Sequence, residues 1–127
     1  MPKRASSALQ DGGLNYLKAN AAKIWLIKNF TTADSDATVA GNKVAEVTTV
    51  SGDWTLSSSG TSRVVTGPTG KSGNATASTA GSDDLHIAVV DSSNGVIYVT
   101  DETTNQVITS GNPVNFPAIP YTIPQPV

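Results

Sequence analysis

The chain has 127 residues and a mass of 13.0 kDa, enough for one domain with a modest core and too little for a catalytic domain joined to a cofactor domain. Cys is absent and His occurs once, as His86, which excludes disulfides, thiolate metal sites, Cys nucleophiles and multi-histidine metal sites. Charged residues make up 14% and aromatics 6%, while 14 Ser and 16 Thr with 11 Gly and 7 Pro describe a β-rich, turn-rich chain carrying a net charge of −2.

The charge is unevenly placed. Residues 1–30 carry Lys3, Arg4, Lys18, Lys23 and Lys28 against Asp11, a balance of +4; residues 31–127 balance at −6. A basic N-terminal arm on an acidic body predicts contacts between copies. Residues 1–10 lack a period and read as a mobile arm. The opening Met1-Pro2-Lys3-Arg4 leads into polar residues rather than an apolar stretch, so no secretory signal is expected there. No apolar run approaches the length of a membrane span.

Leu14, Leu17 and Ala21 fall on one face at spacings of three and four, predicting a helix of about two turns, capped by Asp11 and weakened by Gly12 and Gly13. Lys23 to Phe30 is β-branched and aromatic and reads as the first strand. Ile24, Leu26 and Phe30 share one of its faces, Trp25 and Ile27 the other; a strand apolar on both faces must be covered on both. Residues 31–42 read as a polar loop, 43–50 as a second strand, and Trp54–Leu56 and Thr61–Thr66 as short strands separated by turns. Residues 67–82 are low in complexity and predict either a flexible loop or one weak strand at Ala75–Thr79.

The strongest local signal is a hairpin. Asp84–Asp91 and Val96–Asp101 are β-branched runs joined by Ser92-Ser93-Asn94-Gly95, and Asn-Gly predicts a type I′ turn. A turn at Glu102–Asn105 then leads to a strand at Gln106–Thr109. Five prolines between 113 and 126 exclude a central strand, so the C-terminal stretch is expected to be an edge strand or an extended strap. The sum is an all-β chain: a single antiparallel β-sandwich or jelly roll of about seven to eight short strands, with a short N-terminal helix and extended termini. The division expected is 1–22 for the basic arm and helix, 23–112 for the body and 113–127 for the proline-rich strap.

Chemical motifs are weak. Val64 to Ser72 resembles the end of a P-loop, but Val65 stands where the pattern needs Gly, and no helix pattern follows Lys71-Ser72. Asp84 and His86 share a strand face with no third ligand in reach, and Asp34 and Asp36 lack the Gly and terminal Glu of a calcium loop. Nothing sets two carboxylates across a cleft. Two sequons, at Asn29 and Asn74, are expected by chance in a chain this rich in Ser and Thr. Basic residues are not interleaved with aromatics, so neither nucleic acid nor membrane is an expected partner. No catalytic, cofactor-binding or metal residue is assigned.

Several stretches carry a resemblance in order along residues 14–123: Leu14-Asn15-Tyr16-Leu17, Ile24-Trp25-Leu26-Ile27, Ala45-Glu46-Val47, the run from Leu85 to Tyr98, and Val107 to Ala118. Together they resemble the small structural proteins of tailed bacteriophage virions, of the capsid decoration (cement) and tail-tip or fibre types. A Gly-Tyr-Arg stretch expected after Glu46 is missing. The resemblance implies a β-sandwich or jelly-roll body, many copies, no enzymatic activity, residence in the virion, and partners that are copies of the chain and major capsid or tail proteins. The assembly contacts expected are Lys3, Arg4, Leu14, Tyr16, Leu17, Trp25, Pro113, Phe116, Pro117, Tyr121 and Pro124, on two ends that reach neighbours. A tail-tip, fibre or adaptor role is the alternative. A second alternative is a carbohydrate-binding sandwich that stacks a surface glycan on Trp25, Trp54 or Tyr98.

Overall fold

The computed structural model describes residues 4–100 and 105–125. Within them the chain is an all-β, sandwich-like fold with an N-terminal helix. Helix α1 (Ser7–Asn20) is followed by β1 (Lys23–Lys28), a short helix α2 (Asp36–Gly41), β2 (Lys43–Thr48), a 3-10 turn (Ser51–Asp53), β3 (Thr55–Ser59), β4 (Ser62–Thr66), β5 (Lys71–Asn74), β6 (Leu85–Val90), β7 (Val96–Val99), β8 (Pro113–Phe116) and β9 (Pro120–Ile123). All pairings are antiparallel: a four-stranded sheet in the order β2-β1-β6-β7, a three-stranded sheet β3-β4-β9 and a two-stranded sheet β5-β8.

Strand β1 sits centrally and is covered on both faces, as its composition requires. Ile24 and Leu26 join the main core with Val44 and Val47 of β2, Leu85, Ile87 and Val89 of β6, Leu14 and Leu17 of α1, Trp54, Val65 of β4, and Phe116. Trp25 and Ile27 face the other way, into a smaller cluster with Ala88, Val90 and Val39. Val39 belongs to α2, which forms inside the stretch expected to be a loop. Ser35 caps it by accepting the Thr38 N–H at 3.2 Å, and burying Val39 fixes a helix that its own propensity would not hold.

Helix α1 begins earlier than the apolar spacing predicts. The Ser6 hydroxyl accepts the Leu9 N–H, and Gln10 continues the buried face of Leu14 and Leu17 one turn toward the N-terminus. A buried glutamine does not register in an apolar pattern, so residues expected to belong to a mobile arm are helical. The low-complexity stretch is also ordered. Its strand is Lys71–Asn74 rather than Ala75–Thr79, and Gly73 permits it: a Cβ there would lie 2.3 Å from the Glu46 carbonyl oxygen of β2. Gln106–Thr109 is reduced to a single bridge between Ile108 and Thr79. The expected turn at Glu102–Asn105 lies almost wholly outside the described residues.

The hairpin of β6 and β7 stands where predicted, with a different turn. Asn94 adopts φ 65°, its N–H reaches the Asp91 carbonyl at 3.1 Å, and the Asp91 N–H reaches the Gly95 carbonyl at 2.9 Å. This is a type I turn closed by one left-handed residue, not a type I′ turn. Asp91 selects it, because one carboxylate oxygen accepts both the Ser93 and Gly95 N–H groups.

The described parts of both ends fold onto the body instead of extending away from it. β9 pairs with β4, and α1 lies against both. The Gln125 side chain accepts the Ala5 N–H at 2.8 Å, donates to the Ala5 carbonyl at 3.0 Å and donates to Gln10 Oε1 at 3.1 Å. Gln10 in turn donates to the Ile123 carbonyl at 3.2 Å. Arg63 of β4 holds Asp11 of α1 through two bonds of 2.8 and 3.1 Å. The two ends are thus clasped to one another.

Candidate functional site

Most charged groups serve the fold. Asp53 accepts the Val50 N–H at 2.9 Å; this bond, aided by Lys71 at 3.4 Å, holds its carboxyl below the usual range against partial desolvation. Asp83 closes a turn by accepting the Ala80 N–H and the Asn29 side-chain amide, and is lowered for those reasons in that order. At Glu46 burial pushes the carboxyl up, but the Trp25 indole N–H at 2.7 Å and Lys43 outweigh it and the net shift is downward. Asp11 raises the Arg63 guanidinium. Lys71, the lysine of the P-loop-like stretch, opens a strand and pairs with Asp53. His86 shares a 2.9 Å hydrogen bond with the Thr100 carbonyl and meets the Phe30 ring edge-on. Among the described residues, no three His, Cys, Asp or Glu side chains converge as metal ligands.

The residues expected to make assembly contacts divide sharply. Leu14, Leu17, Trp25 and Phe116 are buried in the chain's own core, so their side chains pack inward and do not reach a neighbour. In a sequence alone an apolar side chain reads equally as core or as contact; the fold turns these four inward. Arg4, Tyr16, Pro113, Pro117, Tyr121 and Pro124 are exposed, and Lys3 lies outside the described residues. Trp54, offered above for stacking a sugar, is also buried, with its indole N–H directed at Thr49.

What the fold does bring together is tyrosine. The chain has three, Tyr16, Tyr98 and Tyr121, and all three line one groove of about 520 Å³. Each comes from a different element: Tyr16 from α1, Tyr98 from β7 and Tyr121 from β9. Tyr98 and Tyr121 meet edge to face, with ring centroids 4.7 Å apart and planes at 62°. Gly13 and Leu17 continue the α1 wall, and Val96, Ile97 and Ile123 supply apolar surface between the rings. Strands β7 and β9 are each the edge of their sheet.

Two carboxylates, Asp36 and Asp91, also line the groove, and among the described residues no cationic side chain does. The lining therefore suits a neutral or positively charged group and disfavours phosphate, nucleic acid or an acidic sugar. Asp91 is anchored by its loop, whereas Asp36, at the start of α2, is exposed and has no hydrogen-bond partner among the described residues. Tyr16, Tyr98 and Tyr121 were each legible as surface aromatics. Their convergence, and the part of Asp36 and Asp91, depend on long-range packing that no local pattern carries.

Comparison of the chain with protein-family profiles, curated protein sequences and solved structures returned no match.

Proposed function

We propose that this chain is a non-enzymatic structural protein of a bacteriophage virion, a capsid decoration or cement protein that docks on the shell. The observation that carries this reading is the clasp. It holds the described parts of both ends together at Ala5, Gln10 and Gln125, and α1 and β9, the elements so joined, also form two walls of the tyrosine groove. Exposed aromatic residues concentrated beside a polar rim are the usual composition of an interface centre. The use of most carboxylates in turns and ion pairs also fits a structural protein. Docking then uses a preformed surface rather than two loose arms, so little ordering entropy opposes it.

The test is binding of purified protein to shells assembled without it. Wild-type protein is expected to saturate the lattice, and Tyr16→Ser with Tyr121→Ser to lower occupancy at least tenfold while the thermal midpoint moves little. Full occupancy by that variant overturns the docking surface, and absence of wild-type binding overturns the decoration role. Copies per particle separate shell from tail: a lattice protein is present on the order of hundreds, a tail protein in about threes, sixes or twelves.

A further inference from the structure

We infer that the chain forms a two-fold dimer in which two α1 helices lie antiparallel and each copy presents Arg4 to the tyrosine groove of the other. This inference rests on the assembly reading above and specifies it: the α1 face and groove join two copies, so that the dimer is the unit that docks on the shell and loss of the groove lowers occupancy through loss of the dimer.

The outer face of α1 is the starting observation. Leu9 is 72% exposed and Tyr16 is 58% exposed. Their spacing of seven puts them on one stripe of the helix. Between them lies Gly12, with open space around it, while Gly13 turns toward Ile123 of β9, 3.4 Å from where a Cβ would sit. An exposed leucine, a side-chain-free position and an exposed tyrosine make an apolar stripe that allows close approach of a second helix.

Charge complementarity names the occupant. Arg4 is exposed and has no partner among the described residues, whereas Lys18, Lys23, Lys28, Lys43, Arg63 and Lys71 all bond within the chain. The groove offers the converse: two carboxylates and aromatic faces, with no cation among the described residues. A guanidinium over tyrosine rings beside a carboxylate combines cation–π and ionic attraction.

Geometry makes the match reciprocal. Arg4 precedes the Ser6 cap of α1 and Tyr16 lies toward the other end of the helix, with Leu9 and Gly12 between them along the chain. Turning a second copy by 180° about an axis near Leu9 and Gly12 sets each Arg4 against the other copy's Tyr16, Asp36 and groove. The contact is then made twice. Ala5 is fixed by two bonds to Gln125, so Arg4 projects from an anchored point.

The native chain has no Cys, which gives a direct test in the full-length protein. Leu9→Cys is expected to cross-link to its mate on mild oxidation at least tenfold faster than Val107→Cys, a control at an equally exposed site (71%) far from α1 in sequence. Sedimentation velocity should show a dimer weakened about tenfold or more by Arg4→Glu or Asp36→Lys alone and restored when both are combined in one chain. A monomer at all concentrations, equal cross-linking at positions 9 and 107, or no recovery in the double variant overturns the proposal. So does a neutral oligosaccharide that binds a monomer through Tyr98. Loss of shell binding with the dimer intact counts against the decoration role alone.

Discussion

Replacing Gln125 with Ala tests whether the clasp is a structural element of the body or a surface ornament. The substitution removes three hydrogen bonds, two to Ala5 and one to Gln10, at 2.8, 3.0 and 3.1 Å. Each is partly buried, so each contributes roughly 0.5–1 kcal/mol net, and the set about 2 kcal/mol. A chain of this length unfolds with an entropy near 0.27 kcal/mol/K, which converts that loss to a fall of roughly 7 °C in thermal midpoint. The Ala5 amide is the local reporter, since Gln125 takes its N–H. Its hydrogen exchange should accelerate by about 10–30-fold, while amides of the central strand β1 change only with the global stability. A midpoint within about 1 °C of wild type together with unchanged exchange at Ala5 would refute the claim that the ends are held on the body.

Three further outcomes follow from packing, turn geometry and ionisation. Gly73→Ala drives a methyl to 2.3 Å from the Glu46 carbonyl oxygen, so β5 must lift from β2; chemical denaturation should show a loss of roughly 1–3 kcal/mol. Asn94→Val forces a β-branched residue to φ 65° and should cost about 1–2 kcal/mol in the same assay, while Asn94→Gly should stay within about 0.5 kcal/mol of wild type. Acid should destabilise the protein in a defined window. Asp53, Asp83 and Glu46 titrate below their ordinary values of 3.8, 3.8 and 4.5 when folded, so their contribution is complete above those values and is lost as pH falls through the lowered ones. Thermal midpoints from pH 7 to 2 should therefore stay level with respect to these groups down to about pH 5 and drop steeply below pH 4; Asp83→Asn should shrink the drop.

The parts of the fold that were readable from residues are those whose signals are local. β1 declared both its covered faces because apolar side chains occupy both parities of the strand. The hairpin declared itself through two β-branched runs and an Asn-Gly turn, and only its turn type differed, since the Asp91 carboxylate organises five residues where the dipeptide rule considers two. The parts that were not readable depend on distant partners. α2 is only six residues long and owes its existence to Val39 lying against the far face of β1. The extra turn of α1 is held by Gln10, a polar residue whose partners are Thr61, 51 positions away, and Ile123 and Gln125, 113 and 115 positions away. β5 contains Gly73 where a strand pattern asks for a side chain, because the partner backbone needs the space.

The distribution of aromatic residues ties these observations to function. Both tryptophans are 1% exposed, and each has its indole N–H directed at a partner, Glu46 for Trp25 and Thr49 for Trp54. The largest side chains thus stabilise the interior and are unavailable to a ligand. The three tyrosines go the other way, to one groove fed by three separate elements. A tyrosine there keeps ring area partly in water, a cost that stability alone does not repay, since Tyr121 and Tyr16 remain 39% and 58% exposed in the folded chain. The folded monomer therefore retains apolar surface that a partner can cover, and its exposed Arg4 has no carboxylate partner among the described residues. If that surface exists for docking, substituting the tyrosines by serine should leave the monomer nearly as stable and take away only its contacts. If it belongs to the core, the same substitutions should lower the thermal midpoint as much as truncating Phe116 does, by roughly 10 °C or more for a loss of about 3 kcal/mol.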